Sequence, residues 1–286
     1  MTESPESRQL DARLLEKALA GGRFGNVLEY RPSVDSTNAL ARTLARAGAP
    51  EGTVILADEQ TRGKGRGNHT WLSTKGLGLY LSLLLRPDKE LLNTPVFGLL
   101  GGVAGVLAVQ EVSGLKTALK WPNDLLVQDR KAGGILAEAI PAVGGKDAIV
   151  VLGIGINLLH DRLDLPENTP VPPTSLKLEG WTEPDRIRLI SRLVRHCERL
   201  YDDLRSGGIE PLQQEVLSIW AERHQWVVLD GGNPPAIRGR AVSLDLAGGH
   251  LILQNESGQE ITVSLNRFLR LKRIPEILKP GNQDAL

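Results

Sequence analysis

The sequence predicts a mixed α/β domain followed by a small all-β domain. Short apolar strands such as "TVILADEQ" and "DAIVVLGIGINLL" alternate with long helical stretches, most clearly at residues 94–113 and 184–205. After Trp226 the pattern changes to short, regularly spaced strands with Gly and Asn turns, which is typical of a small barrel or sandwich. We therefore expect a domain boundary near residue 225.

The other elements follow in order. Residues 9–20 predict a short helix, and "VLEYRPSVDSTNALARTLA" predicts a strand, a turn and a helix with Asp35 or Ser36 as its N-cap. "LGLYLSLLL" predicts a buried strand, and "TALKWPNDLLVQDRKAGGILAEAI" predicts short strands joined by tight turns. "DLPENTPVPPTSL" is a proline-rich loop, and residues 209–222 predict the last helix before the boundary.

Composition limits the classes of function. Lys plus Arg and Asp plus Glu both total 34 in 286 residues, so bulk charge indicates neither nucleic acid nor membrane binding. The lone Cys197 lies in a helical pattern, which favours packing and excludes an internal disulfide framework. The N-terminal stretch lacks the apolar region of a signal peptide, and no run of eighteen apolar residues occurs. We expect a cytoplasmic protein.

A glycine-rich basic loop is the first candidate for chemistry. The stretch "ADEQTRGKGRGNHTWLS" alternates glycines with cations and then ends near a tryptophan. Glycines let backbone N–H groups turn toward a ligand, and the cations add charge, so the loop suits a phosphate or a carboxylate. A solvated basic turn is the alternative. The alternating residues are Arg62, Gly63, Lys64, Gly65, Arg66 and Gly67.

Three further motifs carry polar groups to strand ends or helix starts. In "KWPNDLLVQDRKAGGILAE", Asn123 and Asp124 follow a strand and Lys131 precedes "AGG"; a hairpin with an Asx turn is the alternative. The "DSTN" motif at 35–38 is first of all a helix cap, although its hydroxyls and amide also suit a polar ring system. In "GIGIN", Asn157 ends an apolar strand. No P-loop, complete dinucleotide fingerprint, HExxH or GxSxG motif is present.

Taken in order, these motifs resemble those of biotin protein ligases. The resemblance runs from about residue 33 to about residue 272 and includes the small C-terminal β-domain. It implies a mixed sheet with helices on one face, like the class II aminoacyl-tRNA synthetases, followed by an SH3-like barrel. The implied divisions are a short extension at 1–30, a catalytic domain at 31–225, a β-domain at 226–275 and a tail at 276–286.

The resemblance also implies an activity and the residues that carry it. The family joins biotin to one lysine of a biotin carboxyl carrier protein through biotinyl-5′-AMP, using ATP and Mg²⁺ that enters with the nucleotide rather than in a protein cage. Implied biotin contacts are Ser36, Thr37, Asn38, Gln60, Lys64, Gly65, Arg66 and Lys131. Implied ATP contacts are Arg66, Trp71, Asn123, Lys131 and Asn157. The implied catalytic residues are Arg66, Lys131 and Asp124.

Asp124 would orient or deprotonate the acceptor lysine, with a structural role in its turn as the alternative. The loop departs from the family pattern, because Lys64 replaces an arginine and Gly67, Asn68 and His69 replace a basic-glycine-arginine run. Only about thirty residues precede "VDSTN", too few for a winged helix, so we expect no specific DNA binding.

Other readings remain open. A lipoate ligase or octanoyl transferase would share the fold, although such relatives generally lack "KWPNDL" paired with this loop. A non-catalytic biotin sensor is the alternative of another class. The sequence leaves monomer and homodimer open.

Overall fold

The computed structural model describes residues 9–88, 91–92, 94–140, 148–230, 236–264 and 270–274. The predicted tail at 276–286 and the first eight residues of the predicted extension lie outside these ranges. Within them, the chain forms a seven-stranded sheet and a five-stranded sheet.

The larger sheet has the strand order β1-β2-β3-β7-β6-β5-β4. Its β1–β2 pair is parallel and its other pairs are antiparallel, so the sheet is mixed, as expected. The prediction of short strands is wrong for β6, which is 11 residues long. The strands are β1 (Leu28–Arg31), β2 (Val54–Ala57), β3 (Gly78–Leu85), β4 (Thr117–Lys120), β5 (Asp124–Val127), β6 (Arg130–Ile140) and β7 (Ile149–Asn157).

Helices cover both faces of this sheet. Alternate residues of β3 divide between two apolar clusters, as a strand's period of two requires. Leu83 joins the large core with α3 and α4, whereas Leu84 packs with Ala41 and Ala45 of α2. The mixed α/β class is confirmed, but α2 lies opposite α3, which corrects the expectation of helices on one face. The helices are α1 (Ala12–Leu19), α2 (Thr37–Arg46), α3 (Thr94–Ser113), α4 (Arg186–Gly207) and α5 (Glu210–Ile219).

The central helix α3 spans Thr94–Ser113, where the sequence predicts it. By length and composition its Val96–Ser113 segment is apolar enough to cross a membrane, but 67% of that segment is buried within the fold. Glycines bring it close to the sheet: a Cβ at Gly102 would lie 2.5 Å from Leu119 Cδ1. This burial agrees with the buried helix that the sequence predicts.

The smaller sheet begins at Trp226, as the change in composition predicts, and has the order β11-β10-β9-β8-β12. All its pairs are antiparallel. Its apolar residues join the same core cluster as the larger sheet, so the division into domains stays a prediction. The strands are β8 (Trp226–Asp230), β9 (Ile237–Asp245), β10 (His250–Gln254), β11 (Glu260–Ser264) and β12 (Arg270–Arg273).

Candidate active site

A cleft of about 1050 Å³ opens on the α2 face of the larger sheet. All the residues singled out from the sequence as site residues line it, although they come from six separate segments of the chain. They are Ser36, Thr37, Asn38, Gln60, Lys64, Gly65, Arg66, Trp71, Asn123, Asp124, Lys131 and Asn157.

The floor of the cleft is sheet backbone. In the β6–β7 ladder, Leu136 pairs with Gly153 and Gly134 pairs with Gly155. These positions face α2, and three of the four are glycines, so the floor carries little side-chain bulk. A side chain could not be added freely: a Cβ at Gly153 would lie 2.3 Å from Asn38 Oδ1.

Trp71 lies over this glycine floor. A Cβ at Gly155 would be 2.5 Å from Trp71 Nε1, and one at Gly134 would be 3.2 Å from Trp71 Cζ3. Within the described residues, the buried indole Nε1 has no hydrogen-bond partner. The two glycines therefore create the space that the indole occupies.

Hydrogen-bonded polar side chains build one end of the cleft. Gln60 Oε1 accepts from the Thr37 amide at 2.8 Å and from Thr37 Oγ1 at 3.1 Å. Asn38 Nδ2 donates to Glu138 Oε2 at 2.7 Å, and Asn38 Oδ1 accepts from Ser82 Oγ at 2.6 Å. Asn38 therefore supports its neighbours, and its direct contact with biotin stays a prediction.

The helix-cap interpretation of "DSTN" needs correction. Ser36 occupies the N-cap position of α2, but its side chain makes no capping hydrogen bond in the part of the chain that the structure describes. The side-chain oxygen of Gln60 accepts from the Thr37 amide instead. Asp35 turns outward and pairs with Arg62 at 2.8 Å. Ser36 thus lines the cleft without serving as a side-chain cap.

Lys131 and Asp124 form an ion pair across the middle of the cleft. Lys131 Nζ lies 2.5 Å from Asp124 Oδ1, and the two side chains are 30% and 17% exposed. The ammonium also lies 5.7 Å from the centre of the Trp71 ring, within cation–π range. A positive charge, a carboxylate and an aromatic face therefore meet at one point.

A β-bulge aims Lys131 into the cleft. Leu125 pairs with Gly133, but the next residue, Leu126, pairs with Lys131, so Ala132 is an extra residue in β6. Ala132 is buried in the core behind the sheet. Bulges re-aim side chains in this way, and regular alternation from Gly134 would have put Lys131 on the core face.

The glycine-rich loop forms a small closed turn at the cleft wall. The Gly65 amide donates to the His69 carbonyl at 2.7 Å, and the Trp71 amide donates to the Gly63 carbonyl at 3.0 Å. Gly67 has φ +63°, a left-handed conformation that glycine adopts without strain. Lys64 and Arg66 are exposed and line the cleft.

The two predicted asparagine contacts both hold backbone groups. Asn123 Nδ2 donates to the Ile135 carbonyl at 2.8 Å and fastens the β4–β5 turn to β6. Asn157 Nδ2 donates to the Thr174 carbonyl at 2.9 Å. The hairpin of the alternative interpretation is present, because β4 pairs antiparallel with β5, but the side-chain amide of Asn123 bonds to Ile135 rather than within the turn. Contact of either asparagine with a nucleotide stays a prediction.

Two parts of the cleft wall were not predicted from the sequence. His160 and the proline-rich segment from Leu165 to Pro173 line the end of the cleft beyond Asn157. Lys120 and the strand β12, with Lys272 and Arg273, line its rim. The proline run was interpreted only as a loop, and no local signal in β12 points to a cleft in another part of the fold.

Across the described ranges, no group of three His, Cys, Asp or Glu side chains is placed to hold a metal ion. Asp124, the acidic residue beside Lys131, is already paired with it. Entry of Mg²⁺ with the nucleotide stays a prediction.

Comparison with known proteins shows the family to which this chain belongs. Residues 30–157 match the Biotin/lipoate A/B protein ligase family. The bifunctional ligase/repressor BirA of Bacillus subtilis is 38% identical over 190 residues, which is 66% of this chain and 58% of that protein. The biotin–[acetyl-CoA-carboxylase] ligase of Mycobacterium tuberculosis is 36% identical over 199 residues, covering 66% of this chain and 70% of that protein. The chain belongs to the biotin protein ligase family.

Solved structures of biotin protein ligases share the fold. The Aquifex aeolicus ligase in complex with biotin and ATP matches with a TM-score of 0.73 and 28% identity, covering 87% of this chain and 100% of that one. The Leishmania major ligase in complex with biotinyl-5-AMP matches with a TM-score of 0.56 and 26% identity over 84% and 99%. The chain spans little more than half, 58%, of the Bacillus relatives that it matches.

Proposed function

We propose that this chain attaches biotin to a lysine of a biotin carboxyl carrier protein, using ATP and passing through biotinyl-5′-AMP. The observation that carries the proposal is the order of groups along the β6–β7 ladder. Asn38 lies over Leu136 and Gly153, Trp71 lies over Gly134 and Gly155, and Lys131 and Asn157 follow. Positions two residues apart on a strand are roughly 7 Å apart, so this order extends along the cleft.

This order matches the chemistry of the two substrates. Uncharged hydrogen-bonding groups suit the ureido ring of biotin. The flat indole of Trp71, predicted from the resemblance to contact ATP, also borders the space above the glycine floor that suits the apolar body of biotin. Lys131, with Lys64 and Arg66 from the loop that leads to Trp71, suits the carboxylate and the phosphates that must meet there. The proline-lined end beyond Asn157 suits a flat base.

In the first step, a carboxylate oxygen of biotin attacks the α-phosphorus of ATP, and the bond to pyrophosphate breaks. Both reactants are anionic, so Lys131 and Arg66 offset their repulsion and the charge that develops on the phosphate oxygens. Mg²⁺ accompanies the triphosphate and neutralises part of its charge. To reach the phosphate, Lys131 exchanges its partner Asp124 for the anion.

In the second step, the ε-amine of the acceptor lysine attacks the carbonyl carbon of biotinyl-5′-AMP, an amide forms and AMP leaves. The attacking amine loses one proton. Asp124, released from Lys131, orients the amine or accepts that proton. The pairing of Asp124 with Lys131 at 2.5 Å supports this placement beside the reacting carbon.

The test is acid-dependent adenylate formation. The pure protein is incubated with Mg-ATP and biotin, lipoate or octanoate, and acyl-AMP is identified by mass spectrometry. Biotinyl-AMP alone is the expected result. An adenylate with only lipoate or octanoate would favour the lipoate ligase or octanoyl transferase, and no adenylate with any acid would favour a biotin sensor.

The name of the mycobacterial relative indicates the class of acceptor, since it is a biotin–[acetyl-CoA-carboxylase] ligase. Transfer of biotin to a carrier domain, and none to the same domain with its target lysine replaced by arginine, is the expected result. A cytoplasmic location, the lack of specific DNA binding and the choice between monomer and homodimer stay predictions.

A further inference from the structure

Glu138 lies on β6 behind the polar end of the cleft and is not among the described residues that line it. Its Oε1 accepts from Arg42 Nη1 at 2.8 Å, and its Oε2 accepts from Asn38 Nδ2 at 2.7 Å. The Glu138 side chain is 27% exposed, whereas Asn38 is buried. Because a carboxylate can only accept hydrogen bonds, it fixes the direction in which the amide of its partner is turned.

The side-chain amide of Asn38 can therefore point only one way. Its Nδ2 donates to Glu138 and also to the Leu136 carbonyl at 3.3 Å, and neither of these oxygens can donate. Turning the amide over would bring its oxygen against two acceptors. With the amide held in this direction, Oδ1 must accept the hydrogen of Ser82 Oγ, which lies 2.6 Å away.

The same constraint passes from Ser82 to Thr37. Ser82 Oγ lies 2.8 Å from Thr37 Oγ1, and it can only accept there because its own hydrogen goes to Asn38. The hydrogen of the Thr37 hydroxyl is therefore shared between Ser82 Oγ and Gln60 Oε1, the latter at 3.1 Å. Thr37 lines the cleft. Its oxygen thus keeps lone pairs for a ligand but has no hydrogen to offer one.

We propose that Glu138 is a positioning residue for the ligand of this cleft, because through Asn38 and Ser82 it makes the Thr37 hydroxyl a hydrogen-bond acceptor. The inference rests on the proposed function, since the donor that suits this acceptor is a ureido N–H of biotin. All the hydrogen bonds of the chain run toward the carboxylate, so they polarise one another and make the Thr37 oxygen a stronger acceptor. Glu138 itself touches no substrate.

This direction of hydrogen bonding selects among acids. The ureido ring of biotin carries two N–H donors, whereas the dithiolane ring of lipoate and the chain of octanoate carry none. A ligand that places an acceptor oxygen against Thr37 meets only lone pairs and is repelled. Glu138 therefore contributes to specificity by excluding the wrong hydrogen-bonding partner as well as by favouring the right one.

The exchange of one atom tests this chain of hydrogen bonds. In Glu138→Gln, Arg42 offers only donors, so it takes the amide oxygen and turns the amide NH2 toward Asn38. Asn38 is then no longer held in one direction. The Kd for biotin in titration calorimetry is expected to rise about tenfold, the equivalent of one net hydrogen bond. The KM for biotin in adenylate formation should rise likewise, while kcat at saturating biotin stays unchanged.

Arg42 provides the matched control. Arg42→Met breaks the same partly exposed ion pair but leaves the carboxylate on Asn38, so the Kd for biotin should change by less than about twofold. In the double variant Arg42→Met/Glu138→Gln, the amide oxygen is free to turn back to Asn38, and most of the affinity should return. A merely structural role of Glu138 predicts no such rescue.

Ser82→Ala interrupts the chain between Glu138 and Thr37. In this background Glu138→Gln should raise the Kd for biotin no further, because the coupling passes through Ser82. Two biotin analogues, each with one ureido N–H replaced by oxygen, identify the N–H that lies at Thr37. The analogue that lacks it should bind the unchanged protein about tenfold more weakly than biotin, and this loss should shrink in Glu138→Gln.

The outcomes separate the role of Glu138 from the proposed function. If the unchanged protein forms biotinyl-AMP but a folded Glu138→Gln binds biotin as tightly, the role of Glu138 is overturned while the ligase function stands. No rescue in the double variant, a full loss in the Ser82→Ala background, or equal analogue losses in both proteins would overturn it as well. If the unchanged protein neither binds biotin nor forms biotinyl-AMP, the proposed function itself is wrong. Should Glu138→Gln fail to fold, Ser82→Ala is compared with the unchanged protein, and an undiminished analogue loss overturns the proposal.

Discussion

Trp71 reaches its place in the cleft because two facing strand positions lack side chains. A Cβ added at Gly155 would lie 2.5 Å from the Trp71 indole, and one added at Gly134 would lie 3.2 Å from it. A side chain at Gly155 should therefore disturb Trp71 more than one at Gly134. Neither residue has a positive φ, so a substitution by alanine tests the space above the strand rather than backbone strain.

We expect Gly155→Ala to displace the Trp71 indole, because the added methyl group meets Nε1 well inside contact distance. A side chain forced off its rotamer costs about 0.5–1.5 kcal/mol, and binding of biotin should weaken by about tenfold. Calorimetry with biotin measures the effect. Gly134→Ala is the matched variant and should show a smaller loss; equal losses, or a larger one at Gly134, would contradict the indole placement.

Lys131 is expected to govern adenylate formation. In Lys131→Ala the cation beside the reacting phosphate is lost, and the rate of biotinyl-AMP formation should fall about 100-fold or more. Single-turnover kinetics with excess enzyme measure the rate. Lys177→Ala, which removes a lysine paired with Asp161 outside the cleft lining, is the control and should stay near the normal rate. A normal rate in Lys131→Ala would refute the assignment.

His160 also predicts how stability depends on pH. Burial lowers its pKa to about 4 in the fold, so between pH 6.5 and 4 the unfolded chain binds a proton that the folded chain refuses. The free energy of unfolding is therefore unaffected by this histidine above pH 6.5. It decreases as the pH falls, by roughly 2 kcal/mol at pH 4.5. Urea unfolding of His160→Leu should show a shallower loss over this range. His250→Gln, at a half-buried site on β10, should keep the steeper slope.

At the scale of elements, periodic apolar patterns predicted where the helices begin and end but not which face of the sheet they cover. Helix α3 begins and ends where the sequence places it, and α4, seen at Arg186–Gly207, differs by only two residues from 184–205. The face that α2 covers and the bulge at Ala132 were not predictable, because both depend on partners distant in the chain. Likewise, Gln60 takes over at α2 the role expected of a local cap.

Two glycines in α3 give a matched prediction about this element. A Cβ at Gly98 meets nothing within 4 Å, whereas a Cβ at Gly102 would lie 2.5 Å from Leu119 Cδ1. Gly98→Ala should therefore stabilise the protein by up to about 1 kcal/mol through helix propensity. Gly102→Ala should lose that gain to overpacking and destabilise by about 1–3 kcal/mol. Thermal and urea unfolding of both variants test the ranking, and the reverse order would contradict the packing of α3.

At the scale of the whole molecule, a buried charge joins the two sheets. Glu222 is fully buried; its Oε1 accepts from Lys120 Nζ at 2.9 Å, and its Oε2 accepts from the Trp121 amide at 3.2 Å. Lys120 Nζ also donates to the Leu271 carbonyl of β12 at 2.8 Å. One ion pair thus links the rim of the cleft to the smaller sheet, which the separate sequence motifs gave no reason to expect.

We expect Glu222→Ala to destabilise the fold by about 3–5 kcal/mol, because it leaves Lys120 largely buried without its counter-ion. Arg199→Ala breaks partly exposed pairs with Asp203 on α4 and Glu215 on α5 and should cost less than about 1 kcal/mol. Urea denaturation measures both. Equal costs would mean that the contact between the sheets does not depend on this charge.

The extra residue Ala132 determines which face of the sheet Lys131 occupies. Gly134 and Lys131 share a face although an odd number of steps separates them, and only the extra residue allows it. If β6 kept all its residues but lost the bulge, the side chain of Lys131 would face the apolar core. Removing Ala132 would restore regular alternation and still point the lysine outward. Two sequences that differ in length by one residue at this point can therefore present the same charge to the same ligand, so a residue-by-residue alignment across this segment should allow a gap there.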